Sequence, residues 1–121
     1  MDERVGVAVI GAGYWGTKLV TEYLAAEEKG KVRLVKVCDR SISALGALLI
    51  RKETVSLGQE RLTQDISEVL HDPEISAVHI ATPNPTHFEI ARIALEAGKN
   101  VLLEKPMTLK SRESYELLDL A

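Results

Sequence analysis

The stretch VGVAVIGAGYWG, residues 5–16, decides the fold of this chain. Its first six residues are apolar or glycine at every position, which is typical of a strand covered on both faces of a parallel sheet. The glycines that follow have the spacing G-x-G-x-x-G, and apolar residues then recur at helical intervals until Gly30. The stretch therefore predicts a strand, a tight turn and a helix in direct succession.

The rest of the chain repeats this alternation of strand and helix. We predict further strands at Val32–Cys38, 61–63, 77–81 and 101–103. Strands that alternate with helices form a parallel sheet with helices on both faces, because each connection must cross over the sheet. The sequence therefore predicts one α/β domain over residues 1–121, a doubly wound parallel sheet of the Rossmann type with the order 3-2-1-4-5.

Polar residues and glycines mark the ends of the predicted helices. Ser41 and Thr86 stand where N-caps are expected, Asp65 with Glu68 resembles a capping box, and Gly30 and Gly98 are typical helix stops. A last helix is expected from Ser111, and its inward residues are listed here: Tyr115, Leu118 and Ala121.

The glycine turn has the chemistry of a diphosphate site. Gly11 permits the tight turn, Gly13 lets the backbone approach a pyrophosphate, and Gly16 allows the helix to pack closely on the strand. Free N–H groups and the helix dipole then face the negative charge. The motif alone is weak, but its place between a strand and a helix favours dinucleotide binding.

An acidic residue ends the second strand, where a ribose-binding acid is expected. Asp39 follows Gly16 by some twenty residues, and a carboxylate there accepts hydrogen bonds from the adenosine hydroxyls and repels a 2′-phosphate. Asp39 could instead merely start a turn, and Arg40 and Ser41 could hold a 2′-phosphate. We favour NAD over NADP as the cofactor.

Composition excludes several classes of function. The formal net charge is −3 and aromatic residues make up 4%, which argues against nucleic acid and anionic membranes as partners. No apolar run approaches the roughly 20 residues that span a bilayer, and residues 1–4 lack the positive region and long apolar stretch that a signal peptide is expected to have. The single cysteine, Cys38, suits a cytoplasmic protein and is expected to be a small buried residue, and the three histidines lack metal-ligand spacing, so we predict no metal.

Two later motifs carry a family resemblance. They are TPNPTH at residues 82–87 and AGKNVLLEKP at residues 97–106. Together with the glycine turn and the strand-end acid, they closely resemble the Gfo/Idh/MocA oxidoreductase family over essentially the whole chain. The GYWG and TP-x-x-TH-F-E patterns look most like the branch of nucleotide-sugar 3-dehydrogenases that acts on UDP-linked amino sugars.

The resemblance implies roles for particular residues. Lys105 is implied to contact the reacting hydroxyl and assist its proton transfer, although a purely structural pair with Glu104 is the alternative. Tyr14 and Trp15 either touch the cofactor or pack on neighbouring elements. The implied cofactor-binding residues are Gly11, Ala12, Gly13, Tyr14, Trp15, Gly16, Asp39, Arg40, Thr82, Pro83, Asn84, His87, Glu104 and Lys105.

The function expected from the resemblance is hydride transfer to or from a sugar, polyol or nucleotide-sugar hydroxyl by an NAD(P)-dependent dehydrogenase. The alternative is a non-catalytic NAD(P)-sensing or regulatory module of the same fold. Family members continue into an α/β substrate domain that is absent from this sequence. We therefore expect cofactor binding without efficient turnover from this chain alone, and a homo-oligomer.

Overall fold

A computed structural model describes residues 4–103 and shows one five-stranded parallel sheet. Its order is β3-β2-β1-β4-β5, which confirms the predicted topology. The strands are β1 Val5–Ile10, β2 Val32–Cys38, β3 Leu62–Thr63, β4 Ala77–Ile80 and β5 Asn100–Leu103. The prediction was one residue too long at the start of β3 and at the end of β4, and it began β5 one residue late.

Four helices connect the strands, together with short 3-10 turns. The helices are α1 Tyr14–Glu28, α2 Ile42–Ile50, α3 Ile66–Leu70 and α4 His87–Glu96, and the 3-10 turns are Val55–Leu57, Gln59–Arg61 and Asn84–Thr86. The helix expected from Ser111 lies outside the described residues. Within residues 4–103, no helix has the length and apolar content needed to span a membrane.

The sheet is covered on both faces, which explains the unbroken apolar run of β1. Val9 packs into one core with α1 and α2, whereas Ala8 and Ile10 pack into a second core with α3 and α4. The first core contains Val9, Ala12, Val20, Leu24, Leu34, Val37, Leu45, Leu48 and Leu57. The second contains Ala8, Ile10, Cys38, Val69, Ile75, Val78, Ile80, Ala91 and Ala94.

The glycines predicted to end helices do so. Gly30 follows α1 with φ of 75° and Gly98 follows α4 with φ of 83°. Because this left-handed conformation is strained for a residue with a Cβ, glycine is favoured at both positions. Both predicted helix ends are confirmed.

Two predicted N-caps differ in detail from the structure. Thr86 occupies the N-cap of α4 without a side-chain cap bond, and its hydroxyl instead lies 2.7 Å from the carbonyl oxygen of Pro83. Asp65 caps α3 by accepting from the N–H of Ser67, but the reciprocal half of a capping box is missing because Glu68 bonds the hydroxyl of Thr63. The hydroxyl of Thr63, at the end of β3, therefore donates to Glu68 in place of the backbone N–H of Asp65 that a capping box predicts.

Candidate functional site

The carboxyl ends of β1 and β4 meet at the topological switch point of the sheet. The segment after β1 enters α1 on one face, and the segment after β4 leads to α4 on the other. The two ends are adjacent, since the N–H of Ala81 donates to the carbonyl oxygen of Ile10 at 2.8 Å. Ligands of open α/β sheets bind in the crevice that such a reversal opens.

Gly11 begins the turn in a conformation that excludes other residues. Its φ is 107°, and a Cβ added there would lie 2.8 Å from the carbonyl carbon of Ala81 and 2.9 Å from the N atom of Thr82. The backbone of the β4 end therefore occupies the space that any side chain would need. Gly11 also donates its N–H to the carbonyl oxygen of Cys38 at 2.7 Å, which ties the turn to the end of β2.

Gly16 lets α1 rest directly on the glycine turn. A Cβ built there would lie 1.8 Å from the carbonyl oxygen of Gly11, far inside van der Waals contact. The close packing predicted for this glycine is therefore present.

Gly13 differs from the other two glycines, because within residues 4–103 a Cβ built on it would meet no heavy atom within 4 Å beyond its two chain neighbours. Its φ of −78° is accessible to any residue, and as the N-cap of α1 it offers no side-chain acceptor to the first helical turn. Neither backbone conformation nor packing therefore requires glycine here. A Cβ at Gly13 would instead fill open space at the N-terminus of α1. Amide groups and the helix dipole attract an anion at such a terminus, so the residues present fit a dinucleotide diphosphate.

Asp39 lies beside this turn, at the carboxyl end of β2. Its Oδ2 atom accepts from the N–H of Ala12 at 2.7 Å, and its Oδ1 atom accepts from the N–H of Ser41 at 2.7 Å. Arg40 is exposed. The carbonyl oxygen of Arg40 accepts from Nε2 of Gln64 at 2.8 Å. Sequence reasoning missed Gln64, and its only signal was its position directly after the short strand β3.

The segment after β4 is held by internal hydrogen bonds. The ring of His87 is 1% exposed, and its Nε2 donates to the carbonyl oxygen of Thr82 at 2.6 Å. The hydroxyl of Thr86 lies 2.7 Å from the hydroxyl of Thr82. Thr82 and Pro83 thus stand at the crevice edge, while the buried ring of His87 braces the segment from within.

Tyr14 and Trp15 open α1 with their rings largely in solvent, 70% and 60% exposed. The two rings meet edge to face at 5.1 Å between centroids, and the Nζ atom of Lys18 lies 4.6 Å and 4.9 Å from those centroids. Within residues 4–103, neighbouring elements therefore cover only a minor part of either ring, and contact of the rings with the cofactor stays a prediction.

Other predicted residues separate from this site. His79 lies in β4, where its Nδ1 atom is 2.9 Å from the hydroxyl of Tyr23. Glu104 and Lys105 lie outside the described residues, as does the side chain of Asn84. Among the residues that the structure describes, no group of three His, Cys, Asp or Glu side chains is arranged to hold a metal ion.

A groove of about 570 Å³ opens at the other edge of the sheet, near the amino ends of the strands. Its lining is charged in both senses and includes Glu27, Lys36, Arg61 and Asp72. Glu27 and Arg61 pair at 2.9 Å, and they bond the backbone N–H and carbonyl of Leu34, respectively. The groove shares no residue with the glycine turn. A large volume alone is no evidence of function, so we do not assign the functional site to this groove.

Burial makes Cys38 an unreactive thiol. Burial chiefly, and then the neighbouring Asp39 carboxylate, raises the pKa of Cys38 from 9.0 to about 11. Because only the thiolate is nucleophilic, we expect negligible alkylation of the folded protein at neutral pH.

The same shift predicts a pH dependence of stability. The pKa is higher in the folded state than in the unfolded state, so the free energy of unfolding should be unaffected by this group below pH 9 and should fall as pH rises toward 11. Urea titrations of wild type and Cys38→Ala between pH 8 and pH 11 would check this. The variant should show a shallower decline, and identical slopes would contradict the assignment.

The doubly wound sheet, the glycine turn at its switch point and the acid at the end of β2 define a dinucleotide-binding Rossmann domain. The comparison with known families agrees. The chain belongs to the Gfo/Idh/MocA oxidoreductase family, whose NAD-binding Rossmann-fold model matches residues 5–121.

Individual relatives show what kind of protein carries this domain. The chain is 39% identical over 120 residues to scyllo-inositol 2-dehydrogenase (NAD(+)) of Bacillus subtilis, covering 94% of this chain and 31% of that enzyme. Among solved structures, it resembles GenD2 from gentamicin A biosynthesis in complex with NAD, with a TM-score of 0.83, 36% identity and coverage of 98% of this chain and 32% of that one. It also resembles the UDP-N-acetylglucosamine 3-dehydrogenase GnnA of Acidithiobacillus ferrooxidans, with a TM-score of 0.80, 30% identity and coverage of 98% and 35%. The chain thus spans about a third of the length of these relatives.

Proposed function

We propose that this domain serves a dehydrogenase that moves a hydride between a nicotinamide dinucleotide and a hydroxyl-bearing carbon of a sugar, polyol or nucleotide sugar. The observation that carries the proposal is the open, uncapped N-terminus of α1 at Gly13, beside the Asp39 carboxylate. The inositol dehydrogenase and the UDP-sugar dehydrogenase among the relatives support the substrate class.

The diphosphate is proposed to lie against the first turn of α1. The N–H of Ala12 already donates to Asp39. The backbone N–H groups from Gly13 onward are therefore the ones proposed to bind the diphosphate. Thr82 and Pro83 would border the nicotinamide half from the β4 side of the crevice. The bound nicotinamide supplies the hydride acceptor or donor, and Lys105 is proposed to hold the proton of the reacting hydroxyl.

The cofactor is proposed to be NAD rather than NADP. Two backbone N–H groups fix the Asp39 carboxylate, each at 2.7 Å, so its charge cannot swing away from a ligand without breaking both bonds. A fixed carboxylate accepts from vicinal ribose hydroxyls and repels a 2′-phosphate. Titration of NAD+ and NADP+ into the protein should show tighter binding of NAD+, and a clear preference for NADP+ would contradict this assignment.

The variant Gly13→Ala tests the diphosphate site itself. In the part of the chain that the structure describes, the added methyl group meets no atom beyond its chain neighbours, so the unfolding free energy should change little, whereas the methyl group would meet a bound diphosphate. We expect the affinity for NAD+, measured by calorimetry, to fall by about tenfold to a hundredfold, the scale of one steric clash.

Gly46→Ala is the matched control, because Gly46 lies in α2 and a Cβ there also meets no atom within 4 Å. This variant should bind NAD+ as the wild type does. Equal affinity of all three proteins would place the ligand elsewhere, and no binding by the wild type at saturating NAD+ would remove the proposed function.

A further inference from the structure

The Asp39 carboxylate joins the glycine turn to the segment that links β2 and α2. Through Oδ2 it holds the N–H of Ala12, in the glycine turn after β1, and through Oδ1 it holds the N–H of Ser41, the N-cap of α2. Asp39 itself ends β2, and its own N–H donates to the carbonyl oxygen of Thr63 in β3 at 3.1 Å. One side chain thus connects the glycine turn, α2 and the end of β2.

These bonds anchor the first two amide groups of the glycine turn to the end of β2. The N–H of Gly11 donates to the carbonyl oxygen of Cys38, and the N–H of Ala12 donates to Asp39, each at 2.7 Å. Two consecutive amides are therefore anchored to the end of β2. At the next residue, Gly13, a built Cβ would point into open space at the start of α1.

We propose that Asp39 is a positioning residue for the glycine turn, in addition to any contact with the adenosine ribose. A carboxylate has about four acceptor sites, of which the two backbone donors use two, so the ribose hydroxyls and the turn are bound at the same time. Diphosphate affinity then depends on Asp39 even in a ligand without those hydroxyls. This inference rests on the proposed function for the identity of the ligand. The hydrogen bond between Asp39 and Ala12 does not depend on that proposal.

Amide hydrogen exchange tests the bond without any ligand. In the 121-residue chain, Asp39→Ser removes the Oδ2 atom that accepts from Ala12, whereas a serine hydroxyl can still accept from the N–H of Ser41 two residues on. We expect the Ala12 amide to exchange about tenfold faster or more in this variant, as follows from losing a hydrogen bond to a charged acceptor. An unchanged exchange rate at Ala12 would overturn the inference.

Ligand binding tests the consequence. The probes are NAD+ and its analogue with a 2′,3′-dideoxyadenosine moiety, titrated into wild type, Asp39→Ser and Asp39→Asn. Positioning predicts that both variants bind the analogue about tenfold more weakly than the wild type does. Loss of a negative charge alone would instead strengthen binding of an anionic diphosphate, so the two explanations differ in sign.

Asp72→Asn is the matched control. Asp72 accepts from the N–H of Glu74 two residues later at 2.8 Å, as Asp39 does from Ser41, but it lies at the opposite edge of the sheet. Its substitution should leave both affinities unchanged. Equal affinity of the wild type and the Asp39 variants for the analogue would show that the acid acts only through ribose. If the wild type binds neither probe, the proposed function fails, and the exchange rate at Ala12 still decides whether Asp39 holds the turn.

Discussion

In the proposed dehydrogenase, replacing Lys105 with alanine is expected to lower kcat by about a thousandfold, within the range seen when a general acid or base is removed. The family resemblance implies that this lysine contacts the reacting hydroxyl. In the sequence it follows β5, whose carboxyl end lies at the same edge of the sheet as the glycine turn. The affinity for NAD+ should change far less than kcat, because the proposed diphosphate and ribose contacts lie on other segments. Steady-state kinetics with a polyol or sugar substrate and calorimetry with NAD+ would check both halves.

Lys105→Arg separates charge from proton transfer. Arginine keeps the positive charge but does not release a proton at accessible pH, so this variant should be nearly as inactive as the alanine variant. Lys52→Ala, an exposed lysine after α2, is the control that should keep full activity. Turnover that survives Lys105→Ala would remove the lysine from the chemistry, whereas NAD+ binding without any turnover by the wild type would favour the alternative of a sensing or regulatory module.

Replacing Gly16 with alanine is expected to destabilise the domain by about 3 kcal/mol, at the upper end of what overpacking costs. The new Cβ would lie 1.8 Å from the carbonyl oxygen of Gly11, and that oxygen belongs to backbone whose position is set by β1 and β4. Neither partner is a flexible side chain, so α1 must shift as a unit. The melting temperature should fall by roughly 10–20 °C for a domain of this size.

The two variants used in the binding experiment calibrate this effect. Gly46→Ala should instead raise stability by about 0.5–1 kcal/mol, because it adds a better helix former where no atom obstructs it. Gly13→Ala should melt close to the wild type. A Gly16→Ala protein as stable as the wild type would mean that the helix and the turn do not need the close packing seen here.

The order of the sheet was predictable because its signals are local. The apolar run of β1, the glycine at each helix end and the regular alternation of elements all act within a few residues, and right-handed crossovers then leave few possible topologies. The motif glycines were predictable for the same reason. The hydrogen bonds at N-caps were predicted less well: Glu68 and Thr86 each bond a partner other than the one expected from local spacing.

The sequence by itself determined a Rossmann domain with a diphosphate turn and an acid at the end of β2, because backbone conformation and strand burial leave a periodic mark on neighbouring residues. Only the tertiary structure showed at which of the three motif positions the protein's own backbone requires glycine. Gly11 and Gly16 are required by backbone that approaches from Ala81 and from Gly11, whereas Gly13 faces open space. Tertiary structure also decided that Asp39 holds Ala12, because a bond between residues 27 positions apart depends on how two strands align, and no spacing in the chain records that.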